Sequence, residues 1–298
     1  MTSIITIPAA LVQELRARTG AGLMACKQAL QSVNGDINAA ADAMRKAGQV
    51  QAERKAGRVT AEGRILIKSI ATLAVMLEIN CETDFVARDD NFIHFAETVA
   101  QLAFENRIGS LEVLLKTPSP ITGLSVEDTR QQLITKLGEN VQIRRLVLIE
   151  AQPGAILGAY VHMERIGAVV ELQGGSEQLA TDLVLHVVAN HPLVVTSEEL
   201  SSDLLAKEQE IFTAQAQASG KPQVVIDKMV EGRLNKFIAE VCLLDQVFLK
   251  DETMTVKEVL LNAQANLVSF VRFSLGEGIE KSTENFADAV MLAQNNVP

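Results

Sequence analysis

Ile79-Asn80-Cys81-Glu82-Thr83-Asp84-Phe85-Val86-Ala87-Arg88-Asp89-Asp90 lies where the spacing of apolar residues changes from every second position to every third or fourth. Ahead of it, Leu73, Val75, Leu77 and Ile79 alternate with Ala74, Met76, Glu78 and Asn80, the period of a strand with one buried face. Behind it, Phe92, Phe95, Val99 and Leu102 form the stripe of an amphipathic helix over 91–106. Asp89 or Asp90 suits its N-cap, because a short carboxylate accepts from unpaired first-turn N–H groups. The acidic connection therefore carries one large aromatic, Phe85, outside both periods. A ring in that place either fills a gap beneath the helix or projects as an anchor for another surface.

Further along, Ile166-Gly167-Ala168-Val169-Val170-Glu171-Leu172 and a helix holding Leu179, Leu183, His186, Val187 and Asn190 repeat the strand-then-helix pattern. There the connection is only Gln173-Gly174-Gly175-Ser176. This predicts a duplicated α+β core, with a first half over 65–150 and a second over 151–196, and one half alone bearing the acidic-aromatic element. Within the first half Ile65-Leu66-Ile67 is a strand. Pro118 to Gly123 is a loop, Ser125 opens a helix to Leu137, and 141–149 is a long strand. Ala155 to Val161 adds another strand.

Upstream, residues 1–49 read as a three-helix module. Pro8 suits a first helical position, with Leu11, Val12 and Leu15 inward and Gly20 as the stop. Leu23, Met24, Lys27 and Leu30 continue in a second helix that Asn34-Gly35 ends. Asp36 caps a third, with Ile37, Ala40, Ala41 and Met44 inward and Gly48 at its end. The helix, glycine-containing loop, helix arrangement resembles a ubiquitin-associated domain. Residues 50–64 are charged and broken by glycine, a solvated linker that is helical or not. Downstream, 197–240 reads as a coiled-coil-like helical hairpin turning at Ser219-Gly220-Lys221-Pro222, with Leu200, Leu204, Ile211, Val225, Met229, Leu234 and Phe237 inward. Residues 241–280 return to the core through a strand at 268–274, and 281–298 form a C-terminal helix starting at Thr283 or Glu284.

The chain has 298 residues, 48% of them hydrophobic, enough for a substantial core and more than one module. It contains no apolar run of about 18 residues or more, so no helical membrane span is expected. Its start lacks the basic flank of a signal peptide, which places it in the cytoplasm. Cys26, Cys81 and Cys242 are far apart and without metal spacing, and read as reduced thiols. The formal net charge is -10, yet residues 1–70 hold ten Lys or Arg against five Asp or Glu. A basic head on an acidic body favours a protein partner over direct nucleic-acid binding. With one Tyr and no Trp, few rings remain for stacking bases.

Catalytic chemistry finds little support. Gly20-Ala21-Gly22 follows a helix and lacks the third glycine of a dinucleotide loop, and Gly276-Glu277-Gly278 has no Lys-Ser/Thr after it. Glu82, Asp84, Asp89 and Asp90 lack the turn glycine and twelfth-position Glu of a calcium loop. His94, His162, His186 and His191 show neither metalloprotease spacing nor a paired nucleophile. His186 reads as a hydrogen-bonded core histidine and His162 as a turn residue. No catalytic residue, metal or cofactor is expected.

Thr83-Asp84-Phe85-Val86-Ala87-Arg88-Asp89 is similar to the signature of the bacterial elongation factor Ts family. Leu15-Arg16-Ala17-Arg18-Thr19-Gly20-Ala21-Gly22, Gly220-Lys221-Pro222 and Met229-Val230-Glu231-Gly232-Arg233 resemble further blocks of that family, in its order. The resemblance implies a guanine nucleotide exchange factor that binds elongation factor Tu and promotes GDP release. It implies that Thr83, Asp84, Phe85 and Val86 act beside the GTPase magnesium site, and that Arg16, Leu23, Met24 and His162 make further contacts with the partner. The family commonly has Met where this chain has Leu23, which keeps an apolar contact, and Asp where it has Ala25, which removes an acid. Other classes make distinct demands. An adaptor binds without regard to nucleotide, an RNA-binding accessory using 45–68 shows steep salt dependence, and an enzyme needs a titrating pocket. A homodimer is left open.

Overall fold

The computed structural model describes residues 7–280, and the expected C-terminal helix lies outside them. Three helices open the chain: α1 (Ala9–Thr19), α2 (Leu23–Ser32) and α3 (Ile37–Lys55). α1 ends because Gly20 takes a left-handed conformation, φ 66°, and its N–H returns to Arg16 O at 2.8 Å. The Asp36 carboxylate accepts from Asn38 N and Ala39 N and so starts α3. Val12, Leu15, Cys26, Leu30 and Ala40 form the small core these helices share. Contrary to expectation, Gly48 does not end α3, which runs seven residues further to Lys55. A Cβ at Gly48 would lie 3.2 Å from Thr135 Oγ1, so the glycine serves a close helix contact within α3 rather than a stop.

The described residues then divide into two compact units, 7–66 with 77–147 and 274–280, and 67–76 with 148–273. Strands β1 (Glu62–Ile70), β2 (Leu73–Cys81) and β3 (Val141–Glu150) form a sheet in the order β1-β2-β3. Every residue of β2 is buried, so the expected half-exposed alternation is corrected. The polar positions of its second face, Glu78 and Asn80, are covered and paired instead of solvated. Glu78 accepts from Arg144 Nη1 at 2.9 Å, Arg145 Nε at 2.5 Å, Asn80 Nδ2 at 3.1 Å and Gly276 N at 2.8 Å. Burial raises the Glu78 pKa, and the Gly276, Arg144, Asn80 and Arg145 hydrogen bonds together outweigh it, leaving the pKa lowered.

Between β2 and β3 stand α4 (Asp84–Ala87), α5 (Asp90–Glu105), α6 (Leu111–Lys116) and α7 (Val126–Leu137). α5 buries Phe92, Phe95, Val99 and Leu102, the expected stripe. Asp89 is its N-cap, accepting from Asn91 N. α3 packs along α7.

In the second unit β4 (Ala155–His162) pairs antiparallel with β5 (Ile166–Gln173), followed by α8 (Glu177–Asn190). α9 (Ser202–Gln217) and α10 (Gln223–Val241) are the helical hairpin. Its contact is built from Ala216, Ile226, Val230, Phe212 and Met229, with the Phe212 and Phe237 rings 6.4 Å apart, while Ile211 and Val225 face solvent. Met229 and Phe237 are inward as expected, whereas the seam takes Phe212 in place of Ile211 and Ile226 in place of Val225, one position further along each helix. Short strands β6 (Val247–Phe248) and β7 (Asp251–Thr255), helix α11 (Val256–Asn262) and strand β8 (Asn266–Ser274) complete the unit, with sheet order β4-β5-β8. α11 has a full capping box between Thr255 and Glu258. In both three-stranded sheets the central strand leads into a helix, the architecture of a duplicated α+β core.

Candidate functional site

The acidic stretch after β2 is not an open loop. Asp84 to Ala87 make one turn of helix, and Thr83 caps it: its Oγ1 accepts from Val86 N at 3.4 Å. Val86 and Ala87 are buried, whereas Phe85 is 81% exposed, the highest exposure of any large apolar side chain among the described residues. The alternation within one turn settles where the ring goes. With its neighbours turned inward, Phe85 projects from the surface and fills no gap beneath α5.

The turn is held on all sides within its own unit. Thr83 donates from Oγ1 to Glu139 Oε1 at 2.7 Å and from its N–H to Glu139 Oε2 at 3.0 Å. Cys81 Sγ donates to Thr83 O at 3.1 Å, and Arg64 Nε donates to Ala87 O at 2.8 Å. Burial first, and then the nearby Glu139, Glu62 and Asp84 charges, push the Cys81 thiol up to about 12, so it stays a protonated donor. Asp84 pairs with Arg88 at 3.0 Å across an exposed turn. The Asp89 cap is reinforced from its side chain, where hydrogen bonds from Asn91 hold its carboxyl below the usual range.

Burying a free phenyl ring removes about 1.5–3 kcal/mol of apolar exposure, so an exposed Phe on a rigid turn is a ready anchor for a partner pocket. Little else in the neighbourhood suits bond chemistry. Among the described residues no group of three or more His, Cys, Asp or Glu is arranged to hold a metal ion.

Arg16, Leu23 and Met24 are exposed on α1 and the first turn of α2, with Leu23 at 48% and Met24 at 67%. Cys26 and Leu30 carry the buried face of α2, so Leu23 and Met24 are surplus to the head's core. Ala25 and Arg16 border a cleft of about 370 Å³ whose other walls include Met44, Arg45, Gln131 and Lys136.

His162 belongs to the other unit and ends β4. It is exposed, and Tyr160, two residues back on the same strand face, places its hydroxyl 3.3 Å from His162 Nδ1. The turn that follows has Met163 at φ 48° and Glu164 at φ 59°, left-handed positions unusual for residues with side chains, and Met163 is 78% exposed. The tip thus sets an exposed apolar side chain beside His162, a feature that the strand periods do not mark. Tyr160, the chain's single tyrosine, and the Met-Glu-Arg tip were signals available for it. Glu139 and Arg64 were missed, and no local pattern marks them, since each reaches the Phe85 turn from a distant part of the chain.

Comparison with known proteins gives a consistent picture. The family model described as elongation factor TS matches residues 82–277. The chain is 49% identical over 289 residues to the elongation factor Ts of Thioalkalivibrio sulfidiphilus, covering 96% of this chain and 98% of that protein. It is 50% identical over 286 residues to that of Idiomarina loihiensis, covering 96% and 97%. Against that of Legionella pneumophila strain Paris it is 50% identical over 288 residues, covering 96% and 98%.

Proposed function

The chain belongs to the elongation factor Ts family, a family of translation elongation factors, and from that premise we propose that it is the guanine nucleotide exchange factor of elongation factor Tu. In this reading it binds the GDP-loaded GTPase, loosens the nucleotide by disturbing the magnesium and phosphate-binding site, and leaves the GTPase free to reload with GTP. The carrying observation is Phe85, 81% exposed on a turn whose flanking Val86 and Ala87 are buried. Thr83, Asp84, Phe85 and Val86 constitute the element that works beside the magnesium ion, with Phe85 as the wedge and Thr83 as its cap. Arg16, Leu23 and Met24 on the 1–49 head, and His162 at the β4 tip, supply contacts elsewhere on the partner. The chain itself makes and breaks no covalent bond.

Energetics support a distributed interface. An exchange factor must prefer the nucleotide-free GTPase, and the coupling is reciprocal. Weakening a nucleotide about 10⁴-fold takes roughly 5.5 kcal/mol of differential binding. One Phe supplies about 1.5–3 kcal/mol on burial. Exposed apolar residues on separate elements, Leu23 and Met24 on one and Met163 on another, offer the remainder.

None of the described helices is long and apolar enough to cross a membrane. The test is release of a fluorescent GDP analogue from purified elongation factor Tu with and without this chain. Catalytic amounts are expected to accelerate release, and a rate equal to the spontaneous one overturns the reading.

A further inference from the structure

Glu139 sits in the short connection between α7 and β3, far from the Phe85 turn in sequence. Its two carboxylate oxygens take both Thr83 donors, the hydroxyl at 2.7 Å and the N–H at 3.0 Å. One residue earlier, Glu82 returns the bond: its Oε1 accepts from Asn140 N at 2.6 Å. Two consecutive residues on each side thus exchange carboxylates for backbone donors. The Asn140 side chain then donates to Arg58 O at 3.2 Å, which ties the segment behind α3 into the same knot.

The Thr83 hydroxyl has a single proton, and the knot fixes where it points. It goes to Glu139, which leaves an oxygen lone pair for Val86 N and so completes the cap of α4. α4 has only four residues, and its one full backbone turn, Ala87 N to Thr83 O at 3.2 Å, starts at the same Thr83 that caps it, so a shift of Thr83 is felt by the whole element. The exposed ring of Phe85 gains no packing of its own that would fix the turn. Its direction is set from below, through Thr83 at the start of the turn and the Arg64 bond to Ala87 O at its end.

We propose that Glu139 is a positioning residue for exchange: by clamping Thr83 it holds α4 in one conformation and presents Phe85 in the orientation the partner pocket accepts. This rests on the exchange reading above and adds to it a residue that touches neither partner nor nucleotide. The rigidity of the turn lowers the ordering cost of docking the ring, because the ring is already placed before encounter.

Two measurements test it. In the first, Phe85→Trp supplies a fluorophore to a chain that has no tryptophan. Its time-resolved anisotropy is read without any partner. With Glu139 intact the ring should tumble with the protein; Glu139→Ala should add a fast, large-amplitude component. Glu139→Gln should fall between, since the amide still accepts from Thr83 N. An identical decay in all three overturns the positioning role, whatever the chain does to a GTPase. In the second, stimulated GDP release is compared in a double-mutant cycle. Two hydrogen bonds to a charged acceptor are removed, so Glu139→Ala should slow stimulated release about tenfold. In the Phe85→Ala background the same change should have almost no further effect. A loss of equal size in both backgrounds means that Glu139 acts through general stability and overturns the proposal. Acceleration by the native chain that Phe85→Ala lowers and Glu139→Ala leaves unchanged overturns the proposal while sparing the exchange reading. Absence of acceleration by the native chain fails the exchange reading itself.

Discussion

The connection after β2 and the connection after β5 leave central strands and enter helices of the same kind, yet one takes eight residues, 82–89, and the other three, 174–176. The short joint shows what the fold requires. Gly174 and Gly175 both adopt left-handed backbone, at φ 74° and 72°, and Ser176 caps α8 by accepting from Leu179 N. The long joint contains the same closing device, Asp89 capping α5, preceded by a turn that the geometry of a strand-to-helix connection does not need. That surplus is the part which projects Phe85. The difference sets residues that close a joint apart from residues that project a side chain, and under the proposed exchange function it separates substitutions that damage folding from those that damage exchange.

Below the joints the halves share a device neither period announces. Glu78 in β2 and Glu171 in β5 occupy matching places in the repeat, and both are buried. Glu171 accepts from Gln152 N at 2.7 Å and Ser269 Oγ at 3.2 Å, neutral donors; Glu78 is met by two arginines. The largest effect is therefore expected from Glu78→Ala. Removing one side of a buried ion pair costs about 3–5 kcal/mol, and the partial exposure of both arginines puts this case near the lower figure. Glu171→Ala should cost about 1–3 kcal/mol, the desolvation left by unmet neutral donors. Urea unfolding of the two variants checks the order, and equal losses would break the distinction between the halves.

Next comes Phe85→Ala. Losing about 1.5–3 kcal/mol of apolar burial in the complex should slow stimulated GDP release roughly 10- to 100-fold. Because the ring is exposed in the free chain, the unfolding midpoint should stay within error. Its mirror experiment is Gly175→Ala in the short joint. There a Cβ would meet Ala265 Cβ at 3.0 Å and Leu179 Cδ2 at 3.1 Å on a backbone with φ 72°. Left-handed strain alone costs an L-residue about 1–2 kcal/mol, so the midpoint should fall. Exchange per folded molecule should be unaltered. A Phe85 variant that unfolds early, or a Gly175 variant that exchanges poorly while folded, would erase the contrast between presentation and closure.

How much of this was readable beforehand depends on whether the signal was local. The strand ending in the acidic stretch, the stripe of α5, the Asp36 and Asp89 caps and the Gly20 stop are all written within a few residues of where they act. So is the repeat, and so was the hairpin turn at Gly220, which has φ 65°. What failed was non-local. β2 reads as half-exposed because Glu78 and Asn80 look solvated until Arg144, Arg145 and Gly276 arrive from elsewhere in the chain. Gly48 reads as a stop because the close approach of Thr135 is invisible from α3 alone. For Phe85 the residue was identified and its direction was not, since the turn is fixed by Glu139 and Arg64. The short elements α6, β6, β7 and α11 carry too few residues to show a period.

The smallest effect separates the helices that follow the two joints. Ten positions beyond its N-cap, α5 buries Val99, and at the same count α8 buries His186. His186 Nδ1 accepts from Leu249 N at 3.1 Å, which leaves Nε2 to carry the proton and donate to Gln246 Oε1 at 2.8 Å. The ring also stacks on Phe248 at 5.9 Å. Burial lowers its pKa against the opposing pull of the Gln246 hydrogen bond, so the folded chain keeps the imidazole neutral. Once unfolded, it takes up a proton near pH 6.5. The unfolded state therefore binds more protons below that pH, and stability falls as the pH drops, by at most about 1.4 kcal/mol per pH unit from this one group, until the lowered folded pKa is passed. A proton on Nδ1 would also oppose the Leu249 N–H, so the loss should centre on the contact between α8 and β6. Urea unfolding at pH 7.5, 6.5 and 5.5 should show that loss in the native chain. His186→Gln should be less stable at pH 7.5 yet shallower in its pH dependence over the same range. Equal slopes would mean that the titration lies elsewhere, and that the second half carries no more acid sensitivity than the Val99 half.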